Sequence, residues 1–227
     1  MLATQLRHWM SYPLAAKRQC HITVVDDGSP RNPAITVLRE ASGLSLDLYR
    51  IRENIPWNQH GARNLGAFVA KPLAWLFISD IDIAIGGSAL EHLLRHQLDP
   101  NCFYTFPRRF YRDVIPPKVH WNTFLLRREL YWKTGGYDED YCGTYGGDAP
   151  FRDRLSQLAS RIHLHGVNLI GYTRDVVRDA DTLEWSRQGD FQNEYLRRLE
   201  HKKANRIEAP CNPLRFTWEK VLSLCDR

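Results

Sequence analysis

Residues 73–85 constrain this chain more than any other stretch. An apolar run from Leu73 to Ile78 stops at two acids one residue apart, Asp80 and Asp82, and Ile81, Ile83 and Ile85 continue it. A short continuous apolar run of this kind reads as a strand buried on both faces. Burying one carboxylate there costs several kcal/mol unless something compensates it, and burying two costs more. The simplest arrangement puts both acids at the strand's carboxyl end, facing a cation. Hard divalent cations such as Mg²⁺ or Mn²⁺ take oxygen ligands and keep positions open for phosphate. Asp80 and Asp82 are therefore the candidate metal-diphosphate pair. An Asp-x-Asp triplet alone also fits a solvated surface turn, so the surroundings along the chain must decide.

Those surroundings alternate strand and helix signals. Residues 1–18 have helical character, with Leu2, Leu6, Trp9 and Met10 spaced for one face. Residues 21–25 are β-rich and run into Asp26-Asp27-Gly28-Ser29-Pro30, a strand ending in a turn. Residues 46–51 alternate as a half-buried strand does. Asn58 is placed to cap a helix carrying Ala62, Leu65, Gly66 and Val69 at helical spacing. Ser88-Ala89-Leu90-Glu91 reads as a capping box opening another helix. The alternation predicts βαβ units and a mainly parallel α/β sheet. Residues 102–106 and 123–126 read as two further strands, and 107–120 as a basic, Pro-containing irregular connection. A glycine-rich acidic loop over 138–148 precedes a helix bearing Phe151, Leu155 and Leu158. His163 and His165 fall in a strand-like segment, and residues 182–227 read as a basic amphipathic helical tail. In open parallel sheets ligands bind at the strands' carboxyl ends, and two of these strands end in acids there, Asp26/Asp27 and Asp80/Asp82.

The totals agree with one domain. The chain has 227 residues, 43% of them apolar, enough for a real core. A net charge of +5, spread along the chain, suits an anionic ligand without requiring nucleic acid. The cysteines number five, widely spaced and without a C-x-x-C pair, which argues against a zinc site or a disulfide framework and for a reducing compartment. No apolar run is long enough for a membrane span and no signal peptide opens the chain, so a cytoplasmic protein with at most peripheral membrane contact is expected.

Taken together, four segments resemble glycosyltransferase family 2, the inverting sugar-nucleotide enzymes of the GT-A fold. They are Val24-Val25-Asp26-Asp27-Gly28-Ser29, Gly61-Ala62-Arg63-Asn64-Leu65-Gly66, Asp80-Ile81-Asp82, and Gly135-Gly136-Tyr137-Asp138-Glu139 with Gly146-Gly147-Asp148. The last is also similar to the galactosyltransferase branch of that fold. The resemblance implies a GT-A-like domain over 1–180, with its usual first strand missing and a helical basic tail over 181–227 packed on or appended to it. It implies transfer of a sugar from a nucleotide-diphosphate donor, a UDP-sugar by preference, to a saccharide or lipid-linked saccharide hydroxyl. Asp82 and Asp80 would hold Mn²⁺ or Mg²⁺, with Asp27, Arg63 and Asp80 on the nucleotide and Asp148 as general base. Trp121, Trp132, Tyr137 and Asp138 are weaker candidates for acceptor contact. Each has a plainer reading: Asp27 as a turn acceptor, Arg63 as a surface arginine, Asp148 as an N-cap, the aromatics as core. The chain departs from the family at Gly147, where a Glu is usual. A sugar-phosphate nucleotidyltransferase and a catalytically inactive nucleotide-sugar-binding module are the alternatives.

Overall fold

The computed structural model describes residues 1–180, 190–207 and 213–225. Parts of the basic tail, and Cys211, lie outside the described residues. The helical segment 1–18 is two helices, α1 Leu2–Met10 and α2 Leu14–Gln19, separated at Pro13, which caps α2 in an extended conformation. Then come β1 Ile22–Asp26, α3 Ile35–Leu38, β2 Leu46–Ile51, α4 Gln59–Val69, β3 Trp75–Ile78, β4 Ile83–Ile85 and α5 Gly87–Leu94. The acids Asp80 and Asp82 occupy the turn between β3 and β4.

Half of the segment expected to be irregular, 107–110 and 118–120, is strand. β5 Cys102–Phe110 and β6 Lys118–Arg127 form an antiparallel hairpin, with Arg108 opposite Lys118 and Phe106 opposite His120. After it follow α6 Arg128–Lys133, a 3₁₀ turn at Glu139–Tyr141, α7 Asp148–Leu158, β7 Ser160–His163, β8 Leu169–Gly171, α8 Phe191–Ala204 and β9 Trp218–Leu224. The last is a correction to the helical tail: its final described segment is a strand.

The strands form two sheets, one ordered β1-β2-β9 and the other β3-β6-β5-β8-β4, with β7 also pairing β5. The expected parallel character is matched only in part. β1–β2, β5–β7 and β5–β8 are parallel, whereas β2–β9, β3–β6, β4–β8 and β5–β6 are antiparallel. A hairpin can join only antiparallel neighbours. Once β5 and β6 are joined directly, β6 must run against β5, and it does so against β3 as well.

One core lies around β5, β4, β8 and α5, with Tyr104, Phe106, Ile83, Leu90 and Leu169. A second joins β3 and β6 to α6 and α7 through Phe124, Leu126, Tyr131, Tyr137, Phe151 and Leu155. A third packs α1 and α3 on β2 through Leu6, Leu38, Leu46 and Leu48. Each large side chain so buried contributes about 1.5–3 kcal/mol against the cost of ordering the chain. Among the described residues no helix is long and apolar enough to cross a membrane.

Candidate active site

Three residues far apart in sequence meet at the carboxyl ends of these strands. Arg63, one turn into α4, donates through Nη1 to Asp148 at the start of α7 and through Nη2 to Asp80 in the β3–β4 turn. Its guanidinium also lies 4.9 Å from the Tyr137 ring centroid. The surface-arginine reading of Arg63 is thereby corrected, since its side chain is only 8% exposed. Gln59, one turn before Arg63, directs its amide to Asp148 Oδ2 at 3.5 Å. Asn122 on β6 donates to the same oxygen at 3.3 Å, and Arg152 holds Asn122 Oδ1 at 2.6 Å. His120, two residues before Asn122 and so on the same face of β6, brings Nε2 to 3.8 Å from Asp80 Oδ2.

The two carboxylates are tuned in opposite senses. Burial pushes Asp80 above the ordinary carboxylate range, with the charge of Asp148 adding to it and Arg63 opposing. Burial also acts on Asp148, but Arg63, His60 and Arg152 outweigh it and hold that carboxyl below its usual value. The start of α7 favours the same charged form. His60, fully buried on α4, is driven down to about 4 by burial, and neither ring nitrogen has a hydrogen-bond partner among the described residues. Its ring stacks on Tyr137, with centroids 5.3 Å apart. His120 is likewise lowered to about 4, by burial first and then by Arg108 and Arg63.

Asp148 is not an N-cap: Gly147 takes that position, and Asp148 is the first helical residue with its side chain turned to Arg63. Gly147 itself has a reason. A Cβ there would come 2.5 Å from His60 Cε1, so the imidazole occupies the space a larger residue would need. Asn58 and Ser88 also differ from expectation, because neither makes a side-chain cap; Gly86 precedes α5, and the Asn58 amide is buried without a partner. The acidic turn after β1 is shaped by Asp26, not Asp27. Asp26 accepts from the backbone N–H groups of Gly28, Ser29 and Ala34. Asp27 is left to line a cavity of about 280 Å³ with Ser29, Arg31, Asn54 and Trp57, its carboxyl raised by burial and by Asp26.

The weaker acceptor candidates separate. Trp121 is 51% exposed, with Arg161 4.8 Å from its ring, and stays available. Tyr137 is fully buried and stacks 4.1 Å from Phe151, leaving no ring face for a ligand. Trp132 packs on the same core beside Tyr131. Asp138 is buried and accepts from Lys202 at 2.7 Å. Tyr137 and Asp138 are thus committed to neighbours inside the fold, whereas Trp132 is half-buried. His163 bonds Thr105 at 3.1 Å and sits edge-on to His165.

Among the described residues no group of three or more His, Cys, Asp and Glu side chains is placed to hold a metal. The donor chemistry nevertheless fits a hard cation whose shell is completed by phosphate and water, since Mg²⁺ takes one or two carboxylates at such sites. Arg63 occupies Asp80 Oδ1, leaving Oδ2, and Asp82 lies two residues on. Both acids also raise the pKa of Arg108 against the burial that lowers it. Sequence reading missed His120, Asn122, Gln59, His60, Arg108 and Arg152. For His120 and Asn122 a signal existed: they alternate on one strand face.

The mixed α/β fold, with acids gathered at strand ends, is shared with a solved structure. Among solved structures, S. aureus TarS 1–349 matches with a TM-score of 0.57 at 16% identity, over 92% of this chain and 71% of that one. No family profile and no curated protein sequence matches the chain.

Proposed function

We propose that this protein is an inverting glycosyltransferase of the family 2 type, moving a sugar from a nucleotide diphosphate, a UDP-sugar by preference, to a hydroxyl acceptor. The observation that carries the reading is the Asp80–Arg63–Asp148 cluster, which unites three separate motifs in a fold shared with TarS. Asp27 and the cavity around it would take the nucleotide, with Arg31 offering a cation at its rim. Asp82 and Asp80 would hold Mg²⁺ or Mn²⁺, and the ion would supply Lewis-acid stabilisation of the departing diphosphate. Asp148 would accept the proton of the acceptor hydroxyl as its oxygen attacks the anomeric carbon opposite the leaving group, which inverts that centre. Held below the usual range, Asp148 is ionised at neutral pH and takes the proton only as the attacking oxygen becomes acidic in the transition state. Asn122 and Gln59 would aim its Oδ2 while Arg63 keeps Oδ1. Exposed Trp121 would offer an apolar face to an acceptor sugar.

A panel of nucleotide sugars with Mn²⁺, scored for released nucleoside diphosphate, tests the reading. Turnover with at least one donor, lost in Asp82→Asn, is expected. No turnover and no thermal shift with any donor would sink it. One observation favours the inactive binding module: Arg63 neutralises Asp148. Donor binding without turnover would support that reading. Release of pyrophosphate would point instead to nucleotidyl transfer.

A further inference from the structure

We propose that the tip of the β5–β6 hairpin, residues 111–118, docks on an anionic lipid surface. The tip carries Val114 at 93% exposure and its neighbour Ile115 at 55%, with Tyr111 at 42% three residues before Val114. Arg109, Arg112 and Lys118 surround it, all exposed, against the single acid Asp113. None of the three bases makes an ion pair among the described residues. Asp113 accepts from the Ile115 N–H within the tip at 3.0 Å. Pro116 and Pro117 carry no N–H at all, so Val-Ile-Pro-Pro presents few backbone donors that would lose water on entering an interface.

An apolar tip ringed by unpaired cations fits an anionic bilayer, where apolar burial and attraction to lipid charge add. A neutral surface would use only half of the design. Several described bases of the tail, by contrast, are paired with acids of the same chain. Arg197 pairs with Asp190 and Glu194, Arg198 with Glu194, and Lys202 with Asp138 and Asp140. The hairpin's stem reaches the candidate active site through Arg108 on β5 and His120 and Asn122 on β6. At the rise of a strand, docking the tip would hold that site about 20 Å above the lipid surface. The docking does not depend on glycosyl transfer and is measured without it.

Full-length protein is spun with vesicles of phosphatidylcholine alone, or of phosphatidylcholine with about a third phosphatidylglycerol, at low and high salt. Binding to the anionic vesicles, at least ~10-fold weaker on neutral ones and weakened by salt, is expected. Val114→Ser/Ile115→Ser and Arg109→Gln/Arg112→Gln should each lower it by ~10-fold or more, while Arg197→Gln/Lys203→Gln should not. Hydrogen exchange of the unaltered protein on vesicles should show new protection at 111–118, independent of how any variant folds. No binding to anionic vesicles, protection confined to another segment, or undiminished binding by the tip variants would overturn the proposal.

Discussion

Arg63 shows what a single residue can conceal in a sequence. Its place off the apolar stripe of α4 is the place of a solvated arginine, and only the return of α7 and the β3–β4 turn buries it between two acids. Motif order marked Asp80 and Asp148, which the fold brings together on Arg63, and Asp27, which it places at a separate cavity. The roles within the acidic turn were not legible, because Asp26 and Asp27 are chemically alike and only backbone direction makes Asp26 the acceptor. Asp148→Asn keeps the shape but loses the charge that Arg63 faces. We expect turnover to fall ~10²–10⁴-fold with donor affinity little changed, and stability to fall by about 1–3 kcal/mol. Since Gly147 is the cap, the loss of stability reports the ion pair and not capping. Normal turnover would move the base elsewhere.

The two buried histidines give a pH prediction at the same scale. His60 and His120 titrate at about 4 in the fold against 6.5 when free. Between those values the unfolded chain binds protons that the folded chain refuses, so unfolding is favoured as pH falls. Stability is at its full value above about pH 6.5 and declines toward pH 4, with a slope of up to ~1.4 kcal/mol per pH unit for each histidine. His60→Gln should remove about one proton from that slope in urea titrations at several pH values. An unchanged slope would show that His60 is not the group involved.

At the scale of elements, strands β1, β2 and β3 were legible because apolar runs bounded by Asp, Gly and Pro leave few alternatives. The hairpin was not. Pro107, Pro116, Pro117 and four basic residues over 108–118 look like a loop, yet Pro107 lies within β5, opposite Val119. What places the acidic loop is Asn64, which was read only as part of a motif. Its Nδ2 donates to Tyr137 O and Glu139 Oε1, and its Oδ1 accepts from Tyr131 Oη and Tyr137 N. Gly136, at φ +74, lets the loop pass so close that a Cβ would lie 2.7 Å from Asn64 Oδ1. Gly147 and His60 are matched in the same way. Gly147→Ala should cost about 1–3 kcal/mol through the displaced imidazole and slow turnover by shifting Asp148. Tm and rate measured together check this; if both stay at wild-type values, the close approach is not constraining.

For the whole molecule, the question is whether the C-terminal segment is an appendage or part of the domain. The sequence left the tail either packed on the domain or appended to it, because a run rich in Arg, Lys and Glu carries no signal of what it touches. The contacts favour packing. β9 covers one edge of β2 along its length, from Leu224 opposite Leu46 to Trp218 opposite Ile51. The backbone N–H groups of Leu214 and Arg215 donate to the buried carboxylate of Glu139 at 2.8 and 3.0 Å. Lys202 on α8 is buried between Asp138 and Asp140 of the same loop. Deleting residues 213–227 would therefore bare the β2 edge and strip two donors from a buried carboxylate, both destabilising. We expect Tm to fall by on the order of 10 °C, with aggregation on heating and with loss of any donor binding that depends on the loop. Lys202→Met tests the α8 contact separately. It leaves Asp138 buried without its cation, so it should lower Tm by less than the deletion and leave β9 paired. A truncated chain melting within about 2 °C of the full one would show the segment to be an appendage.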